Sequence, residues 1–207
     1  MTGIFISLEG GEGVGKSTQL RALSAALRAH GIDVVETREP GGSTGAEAIR
    51  ALLLEGSADR WNARSEALLF AAARADHVAT TIRPALARGQ WVLCDRFLDS
   101  SLAYQGGADG LGEEAIRTLH RIGSEDLRPA RTLILALSLE EAARRTLARD
   151  RGTGDRFGAR DADYHAAVAA AFARIAEAEP ERCRIVEAQG EAAAVTSRLL
   201  AAIEDLL

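Results

Sequence analysis

Short apolar runs alternate with longer amphipathic stretches along this chain. The first run, residues 4–8, is apolar enough for a buried strand, and residues 16–29 follow with leucines at helical spacing and Gly31 just past their end. The alternation continues to the C-terminus and predicts further elements. The predicted strands are 34–35, 91–94, 133–137 and 184–186, and the predicted helices are 47–54, 65–86 with a bend near Pro84, 113–122, 139–149, 161–177 and 192–207.

This order predicts an α/β protein, because strands separated by helices pair in parallel and the helices cover both faces of the sheet. We expect a three-layer α/β/α fold with a five-stranded parallel sheet, formed by residues 1–207 as one domain. Such sheets bind ligands at the carboxyl ends of their strands. Gly10, Gly11 and Asp95 fall at such ends.

A glycine-rich turn joins the first predicted strand to the first predicted helix. Residues 10–17 read Gly-Gly-Glu-Gly-Val-Gly-Lys-Ser, which fits the P-loop pattern of glycine, four residues and Gly-Lys-Ser. Glycines let successive N–H groups point at an anion, and the following helix directs its N-terminal dipole toward it. We therefore expect a P-loop NTPase-type fold in which Lys16 reaches the β- and γ-phosphates of ATP and Ser17 ligates Mg²⁺. The predicted ATP-binding residues are Gly10, Gly11, Glu12, Gly13, Val14, Gly15, Lys16, Ser17 and Thr18.

Composition and charge support this interpretation. The chain has 25 Lys and Arg residues, and Lys16 is the only lysine among them, which indicates a position that requires a compact ammonium group. Asp95, at the end of the third predicted strand, fits the aspartate that holds Mg²⁺ directly or through water. The net charge of −5 lacks the basic surplus usual for nucleic-acid-binding proteins.

Cellular location can also be inferred from the sequence. Cys94 and Cys183 lie far apart and do not form a disulfide framework. No window approaches the roughly 20 apolar residues of a membrane span, and the N-terminal apolar run is too short for a signal peptide. We expect a cytoplasmic protein that binds neither membranes nor nucleic acids.

The class of P-loop protein follows from the second site that the chain offers. A GTPase reads guanine with Asn-Lys-x-Asp, which cannot occur here because the only lysine lies in the P-loop. A kinase needs an anion site for its acceptor, and several segments could build one. They are Arg38-Glu39-Pro40-Gly41-Gly42 after the second strand, Asp95-Arg96-Phe97 after the third, and Phe70 with Arg74 one helical turn apart.

These segments make the chain resemble the bacterial thymidylate kinase family. The matching blocks are the P-loop, Arg-Glu-Pro-Gly-Gly, Leu-Phe-Ala-Ala-x-Arg, and Asp-Arg-aromatic followed by Asp-Ser-Ser-Leu-Ala-Tyr-Gln-Gly, in order between residues 4 and about 176. The resemblance implies transfer of the γ-phosphoryl group of ATP to dTMP with Mg²⁺, and a homodimer formed through the long helices around 65–86. Another monophosphate kinase or a deoxynucleoside kinase is the alternative, although the latter usually carries Glu-Arg-Ser where this chain has Asp95-Arg96-Phe97.

The resemblance also assigns roles to the acceptor-binding residues. Those implied for the base and sugar are Phe70, which would stack on thymine, with Arg74, Ser101, Tyr104 and Gln105. Those implied for the acceptor phosphate are Arg38 and Arg96, with Arg50 assisting. Glu12 would face the acceptor sugar or the Mg²⁺ shell, and Pro40 completes the implied set.

Phosphoryl transfer needs cations around the migrating group more than a general base, because the acceptor phosphate is already largely ionised near neutral pH. Position 13 is glycine, where some family members carry an arginine, so the resemblance implies that a short lid at about 149–160 supplies further arginines. Ala73, Ala136 and Gly158 depart from the family pattern, which bears on lid anchoring more than on the reaction. The expected catalytic residues are Lys16, Arg96, Arg149, Arg151 and Arg156, with Arg160 just beyond.

Overall fold

The computed structural model describes residues 3–57, 59–150, 157–158 and 160–207. Within these ranges the predicted alternation of strands and helices is confirmed. The strands are β1 Phe5–Glu9, β2 Val34–Arg38, β3 Trp91–Asp95, β4 Arg131–Ala136 and β5 Cys183–Glu187. The α-helices are α1 Lys16–Ala29, α2 Thr44–Leu54, α3 Ala63–His77, α4 Arg83–Ala87, α5 Leu98–Ser101, α6 Glu113–Ser124, α7 Leu139–Asp150, α8 Ala162–Ala178 and α9 Ala192–Ala201.

The strands of the described ranges form one five-stranded parallel sheet in the order β2-β3-β1-β4-β5. Asp95, the last residue of β3, pairs in register with Leu8 on one side and with Arg38 on the other. The carboxyl ends of β1, β2 and β3 therefore meet at one edge of the sheet. The P-loop leaves the end of β1, so this edge is where the predicted site residues converge.

Alternating strand residues divide the core into two layers, because successive side chains of a strand point to opposite faces. Phe5 packs in the core that includes residues of α3 to α6 and α8, whereas Ile6 and Leu8 pack in the core that includes α1 and α9. Both faces of the sheet are thus covered, and the predicted three-layer α/β/α architecture is confirmed. None of the helices in the described part of the chain is long and apolar enough to cross a lipid bilayer.

The long helix predicted over 65–86 is interrupted before Pro84. Regular helix ends at His77, a wider π-helical turn covers Val78–Ile82, and α4 follows. Proline lacks an N–H and its ring clashes with the carbonyl four residues earlier, so a widened turn just before it accommodates the ring within a continuing helical path.

Two further segments differ from the sequence prediction. Residues 98–108, to which no element was assigned, form α5 and a π-helical segment, Leu102–Ala108, that packs against α8. The closing helix ends at Ala201 rather than at Leu207, and a 3₁₀ turn follows at Glu204–Leu206. Ile203 leaves the helical conformation at φ −125° while its side chain is fully buried, so packing of this residue takes precedence over helix propensity.

Candidate active site

A cleft of about 690 Å³ lies at the carboxyl edge of the sheet. It brings together most of the residues predicted for the site, from both the donor and the acceptor sets. Its lining includes Glu12, Gly13, Val14, Gly15, Lys16, Ser17, Thr18, Arg38, Pro40, Arg50, Phe70, Arg74, Asp95, Arg96, Ser101, Tyr104 and Gln105. Gly10 and Gly11 take part through their carbonyl oxygens, which accept hydrogen bonds from the Lys16 ammonium at 3.1 and 2.6 Å.

Ser17 and Asp95 form the candidate metal site. The hydroxyl of Ser17 donates to Oδ2 of Asp95 at 2.7 Å, although the two residues lie 78 positions apart in the chain. Hydroxyl and carboxylate oxygens are hard ligands of the kind that Mg²⁺ prefers, and Mg²⁺ usually takes only one or two protein carboxylates together with water and substrate phosphates. The chemistry of this pair therefore fits a magnesium ion.

Lys16 lies deep in the P-loop with 7% of its surface exposed. Burial, followed by the neighbouring charge of Arg96, lowers the pKa of Lys16 to about 8, against the opposing pull of Glu12 and Asp95. An anion held by the loop would favour the charged ammonium, because an opposite charge nearby stabilises a cation. The ammonium is therefore suited to a phosphate ligand.

Arg96 lies where the P-loop and the end of β3 meet. Its Nη1 donates to the Gly10 carbonyl and to the Ser100 hydroxyl, both at 3.1 Å, and its Nη2 donates to Oε1 of Glu12 at 2.5 Å. Although burial opposes the charge, Tyr104 and the carboxylates of Glu12, Asp95 and Glu9 raise the pKa of Arg96 above its usual range. Arg96 thus provides a permanent cation beside the P-loop.

The buried carboxylate of Glu9 holds the turn that contains Arg96. Arg96 has φ of 70°, a backbone conformation that residues other than glycine rarely adopt. Oε1 of Glu9 accepts the Phe97 N–H at 2.7 Å, and its Oε2 accepts the Ser100 hydroxyl at 2.5 Å. Burial, followed by the charge of Asp99, raises the pKa of Glu9 to about 7, although these hydrogen bonds act in the opposite direction. Sequence reasoning missed Glu9, because a strand residue next to a motif carries no signal of its own.

The predicted base pocket contains a buried ion pair. Nε of Arg74 donates to Oε2 of Glu39 at 2.7 Å, and Nδ1 of His77 lies 3.0 Å from the other oxygen of the same carboxylate. Burial raises the pKa of Glu39, but Arg74 and His77 outweigh it, and the net pKa is lower than usual. A second Arg74 nitrogen, Nη2, donates to the Phe97 carbonyl at 3.1 Å and to the Ser101 hydroxyl at 2.8 Å.

Aromatic rings form another wall of this pocket. Phe70 is half-buried and faces Phe157 with 5.8 Å between ring centroids, and Tyr104 lies 6.2 Å from the same ring. The amide of Gln105 donates to Oε1 of Glu66 at 3.0 Å, and both side chains are buried. Neither Phe157 nor Glu66 was predicted as a site residue.

The remaining predicted phosphate residues lie at the outer part of the cleft. Arg50 donates to the Pro40 carbonyl at 2.6 Å, which ties α2 to the end of β2. Arg38 is exposed, and its Nη2 contacts both oxygens of Glu47 at 3.0 and 3.1 Å. Both arginines line the cleft, as the sequence predicted for acceptor-phosphate ligands.

The sequence analysis predicted arginines in the lid and just beyond it. The side chain of Arg149 and all of Arg151 and Arg156 lie outside the described residues. Arg160 is described, and its guanidinium lies 4.9 Å above the ring of Tyr164 and 4.0 Å from a carboxylate oxygen of Asp109. Arg160 does not itself line the cleft, but its backbone N–H donates to the carbonyl of Phe157, which does, at 3.2 Å.

Part of the cleft lining consists of residues that the sequence analysis did not single out. They are Gln19, Arg21, Arg145, Ala188, Gly190, Ala192 and Val195. Gly190 lies after β5 with φ of 97°, and a glycine after a strand at the ligand-binding edge could have indicated this wall. Arg145 reaches the cleft from α7, where its Nε donates to Glu141 at 2.8 Å.

Comparison with known proteins gives one family throughout. A family model described as thymidylate kinase matches residues 8–199. A thymidylate kinase from Rhizorhabdus wittichii is 67% identical over 207 residues, covering 100% of both chains, and one from a Bradyrhizobium species is 48% identical over 188 residues, covering 90% of this chain and 83% of the relative. The crystal structure of thymidylate kinase from Ehrlichia chaffeensis superposes with a TM-score of 0.78 at 29% identity, covering 99% of each chain.

Proposed function

Because this chain belongs to the thymidylate kinase family of nucleoside monophosphate kinases, we propose that it transfers the γ-phosphoryl group of Mg²⁺-ATP to dTMP. The products are ADP and dTDP. The observation that carries the proposal is that Lys16 and Arg96 both donate to the carbonyl oxygen of Gly10, each at 3.1 Å. Lys16 belongs to the ATP site and Arg96 to the acceptor site. The Gly10 carbonyl, which both side chains contact, is therefore where the γ-phosphate of ATP and the acceptor phosphate would come together.

The donor binds along the P-loop, residues 10–18. Backbone N–H groups and the N-terminus of α1 hold the β- and γ-phosphates, with Lys16 as their counter-charge. Ser17 and Asp95 would hold the magnesium ion, whose positive charge neutralises charge that develops on the phosphates. The wall formed by Ala188, Gly190 and Ala192 leaves room for the adenosine.

The acceptor phosphate binds between Arg96, Arg38 and Arg50. Its attacking oxygen is already largely ionised near neutral pH, so these arginines orient it and no side chain has to remove a proton. Arg96 is held by four partners, the Gly10 carbonyl, Ser100, Glu12 and Tyr104. A cation fixed in this way stabilises transition-state charge without having to reorganise.

The thymine base lies against Phe70, with Arg74, Ser101 and Gln105 at its polar edge and Tyr104 beside the sugar. Glu12 and Pro40 complete the acceptor site. Phe70, Phe157 and Tyr104 give this pocket aromatic walls, and one methyl group separates dTMP from dUMP. A methyl group in such a pocket changes kcat/KM by about 10–200-fold, which is the selectivity we expect.

The chain works as one domain with a lid at about residues 149–160. Arg149, Arg151 and Arg156 supply further positive charge to the transferred group on lid closure, which also expels water. We also propose a cytoplasmic homodimer. Exposed apolar side chains on α2, α3 and α6, namely Leu52, Leu68 and Ile122, support a self-association surface, and sedimentation equilibrium would test it.

The test of the activity is ADP release from Mg²⁺-ATP with a panel of acceptors. The panel is dTMP, dUMP, dCMP, dGMP, AMP, UMP and thymidine, with a reaction lacking acceptor as the blank. We expect the highest kcat/KM with dTMP, a value about 10–200-fold lower with dUMP, and little turnover with the others.

Two outcomes would contradict the proposal. Turnover with thymidine but not with dTMP would make the protein a nucleoside kinase. Slow ADP release that is the same with every acceptor would make it an ATPase. Chelation of Mg²⁺ should abolish turnover and added Mg²⁺ should restore it.

A further inference from the structure

Two helical faces contact each other in the wall of the predicted base pocket. On α3, Glu66, Phe70 and Arg74 recur every four residues and therefore lie on one face. Opposite them, Ser101 and Gln105 are also four residues apart, at the end of α5 and in the π-helical segment. Hydrogen bonds join the faces in two places, Arg74 to Ser101 at 2.8 Å and Gln105 to Glu66 at 3.0 Å.

The contact with Glu66 determines the orientation of the side-chain amide of Gln105. Nε2 of Gln105 donates to Oε1 of Glu66, and the two residues are 2% and 1% exposed. A carboxylate accepts hydrogen bonds and donates none, whereas an amide has a donor end and an acceptor end. With its donor end directed at Glu66, the amide leaves its carbonyl oxygen for the cleft that Gln105 lines.

Arg74 gives the neighbouring part of the wall the opposite polarity. A guanidinium donates hydrogen bonds and accepts none, and Glu39 fixes this one through Nε at 2.7 Å. The cleft that both residues line thus receives donors from Arg74 and an acceptor from Gln105. Thymine and uracil have the complementary edge, a C4 carbonyl acceptor next to an N3–H donor. Cytosine has the reverse, an amino donor next to an N3 acceptor.

We propose that Glu66 is a specificity-determining positioning residue that keeps the carbonyl oxygen of Gln105 directed at the base and so excludes cytosine. This inference rests on the proposed function and identifies how the same pocket distinguishes dTMP from dCMP. Rotation of the Gln105 amide would present its amino group to the N3 acceptor of cytosine. Glu66 opposes that rotation because it would place the amide oxygen against a buried carboxylate.

The test is the ratio of kcat/KM for dTMP to kcat/KM for dCMP in Glu66→Gln. Glutamine has nearly the same shape, but its amide can accept or donate, so either orientation of Gln105 is satisfied. We expect the ratio to fall about 10–100-fold, through a lower value for dTMP and a higher value for dCMP. ATP affinity should stay unchanged.

Two further variants separate positioning from general damage. Glu66→Asp keeps a group that only accepts, so its ratio should stay within about threefold of the unmodified enzyme even if both kcat/KM values fall. Glu36→Gln makes the same chemical change on the exposed side of β2, where Glu36 pairs with Arg28, and should leave the ratio unchanged.

A double-mutant cycle tests whether Glu66 acts through Gln105. In a Gln105→Ala background there is no amide to orient, so adding Glu66→Gln should not change the ratio further. An equal change with and without Gln105 would overturn the inference, as would an unaltered ratio in Glu66→Gln or a collapsed ratio in Glu66→Asp. If the unmodified enzyme itself shows no preference for dTMP, the proposed function fails instead.

Discussion

Alanine substitutions at three glycines of the P-loop separate the two reasons for which a position can require glycine. Gly11 has open space where an added Cβ would lie and no positive φ, and Gly15 has the same open space but φ of 93°. Gly13 combines φ of 73° with close contact to α7, because an added Cβ would meet the Ala142 carbonyl and lie 2.5 Å from the Thr146 hydroxyl oxygen. Gly11 thus carries neither constraint, Gly15 carries the backbone constraint alone, and Gly13 carries both.

The expected losses of stability follow from these constraints. Gly11→Ala should change the free energy of unfolding by no more than about 0.5 kcal/mol. Gly15→Ala should lower it by about 1–2 kcal/mol, which is the cost of a left-handed backbone for a residue with a Cβ. Gly13→Ala adds steric overlap that costs about 1–3 kcal/mol, so its total loss should be about 2–5 kcal/mol.

Urea unfolding followed by circular dichroism, without nucleotide, measures the three values. The order Gly11 < Gly15 < Gly13 is the result we expect. If Gly13→Ala lowered the free energy of unfolding no more than Gly15→Ala, α7 would be able to move away from the P-loop. The contact with α7 would then not be the reason for glycine at position 13. A confirmed order would mean that position 13 cannot accept the arginine that some family members carry unless α7 moves, so charge must come from elsewhere.

Three other predictions concern the chemistry of the cleft. Arg96→Ala should lower turnover by about 10³-fold or more, with little change in ATP affinity measured by calorimetry. The exposed control Arg88→Ala should change neither turnover nor ATP affinity. Normal turnover in Arg96→Ala would remove Arg96 from the site. Asp95→Asn should raise the Mg²⁺ concentration for half-maximal activity by about 10–100-fold, and the exposed control Asp33→Asn should not. Burial and Asp99 raise the pKa of Glu9 from 4.5 to about 7. Between pH 4.5 and pH 7 the folded state therefore binds more protons than the unfolded state. The contribution of Glu9 to stability is lost as pH rises through 7. Glu9→Gln should therefore gain about 2–3 kcal/mol relative to the unmodified protein between pH 5 and pH 8, and parallel pH profiles of unfolding would refute this.

The sheet and the meeting of Ser17 with Asp95 were predictable from sequence because they depend on local patterns and one general rule. The P-loop, its strand and its helix are contiguous in the chain, so each supports the assignment of the others. The rule that ligands bind at the carboxyl ends of parallel strands then brought Asp95 to Ser17 across 78 residues, and the 2.7 Å hydrogen bond agrees with it.

The segment after β3 was less predictable because tertiary packing decides its form. Gly106 and Gly107 interrupt helical propensity, yet both lie in the π-helical segment Leu102–Ala108. Gly107 approaches α8 so closely that an added Cβ would lie 3.1 Å from the Cβ of Ala171. The absence of a side chain at Gly107 allows α8 to pack there. This packing stabilises the segment only once the distant helix α8 is in place, so the local sequence does not reveal it.

The buried glutamates show most clearly why sequence patterns predicted most of the residues that line the cleft but not the buried contacts that hold them. Glu9, Glu39 and Glu66 contact partners 88, 35 and 39 residues away, so local spacing does not predict these contacts. Burial of a carboxylate is unfavourable unless donors surround it, and here the donors belong to the Arg96 turn, to Arg74 and to the Gln105 amide. Each glutamate therefore accepts a hydrogen bond from a group of the predicted acceptor site. The stability of the fold and the geometry of the predicted acceptor site consequently depend on the same buried contacts.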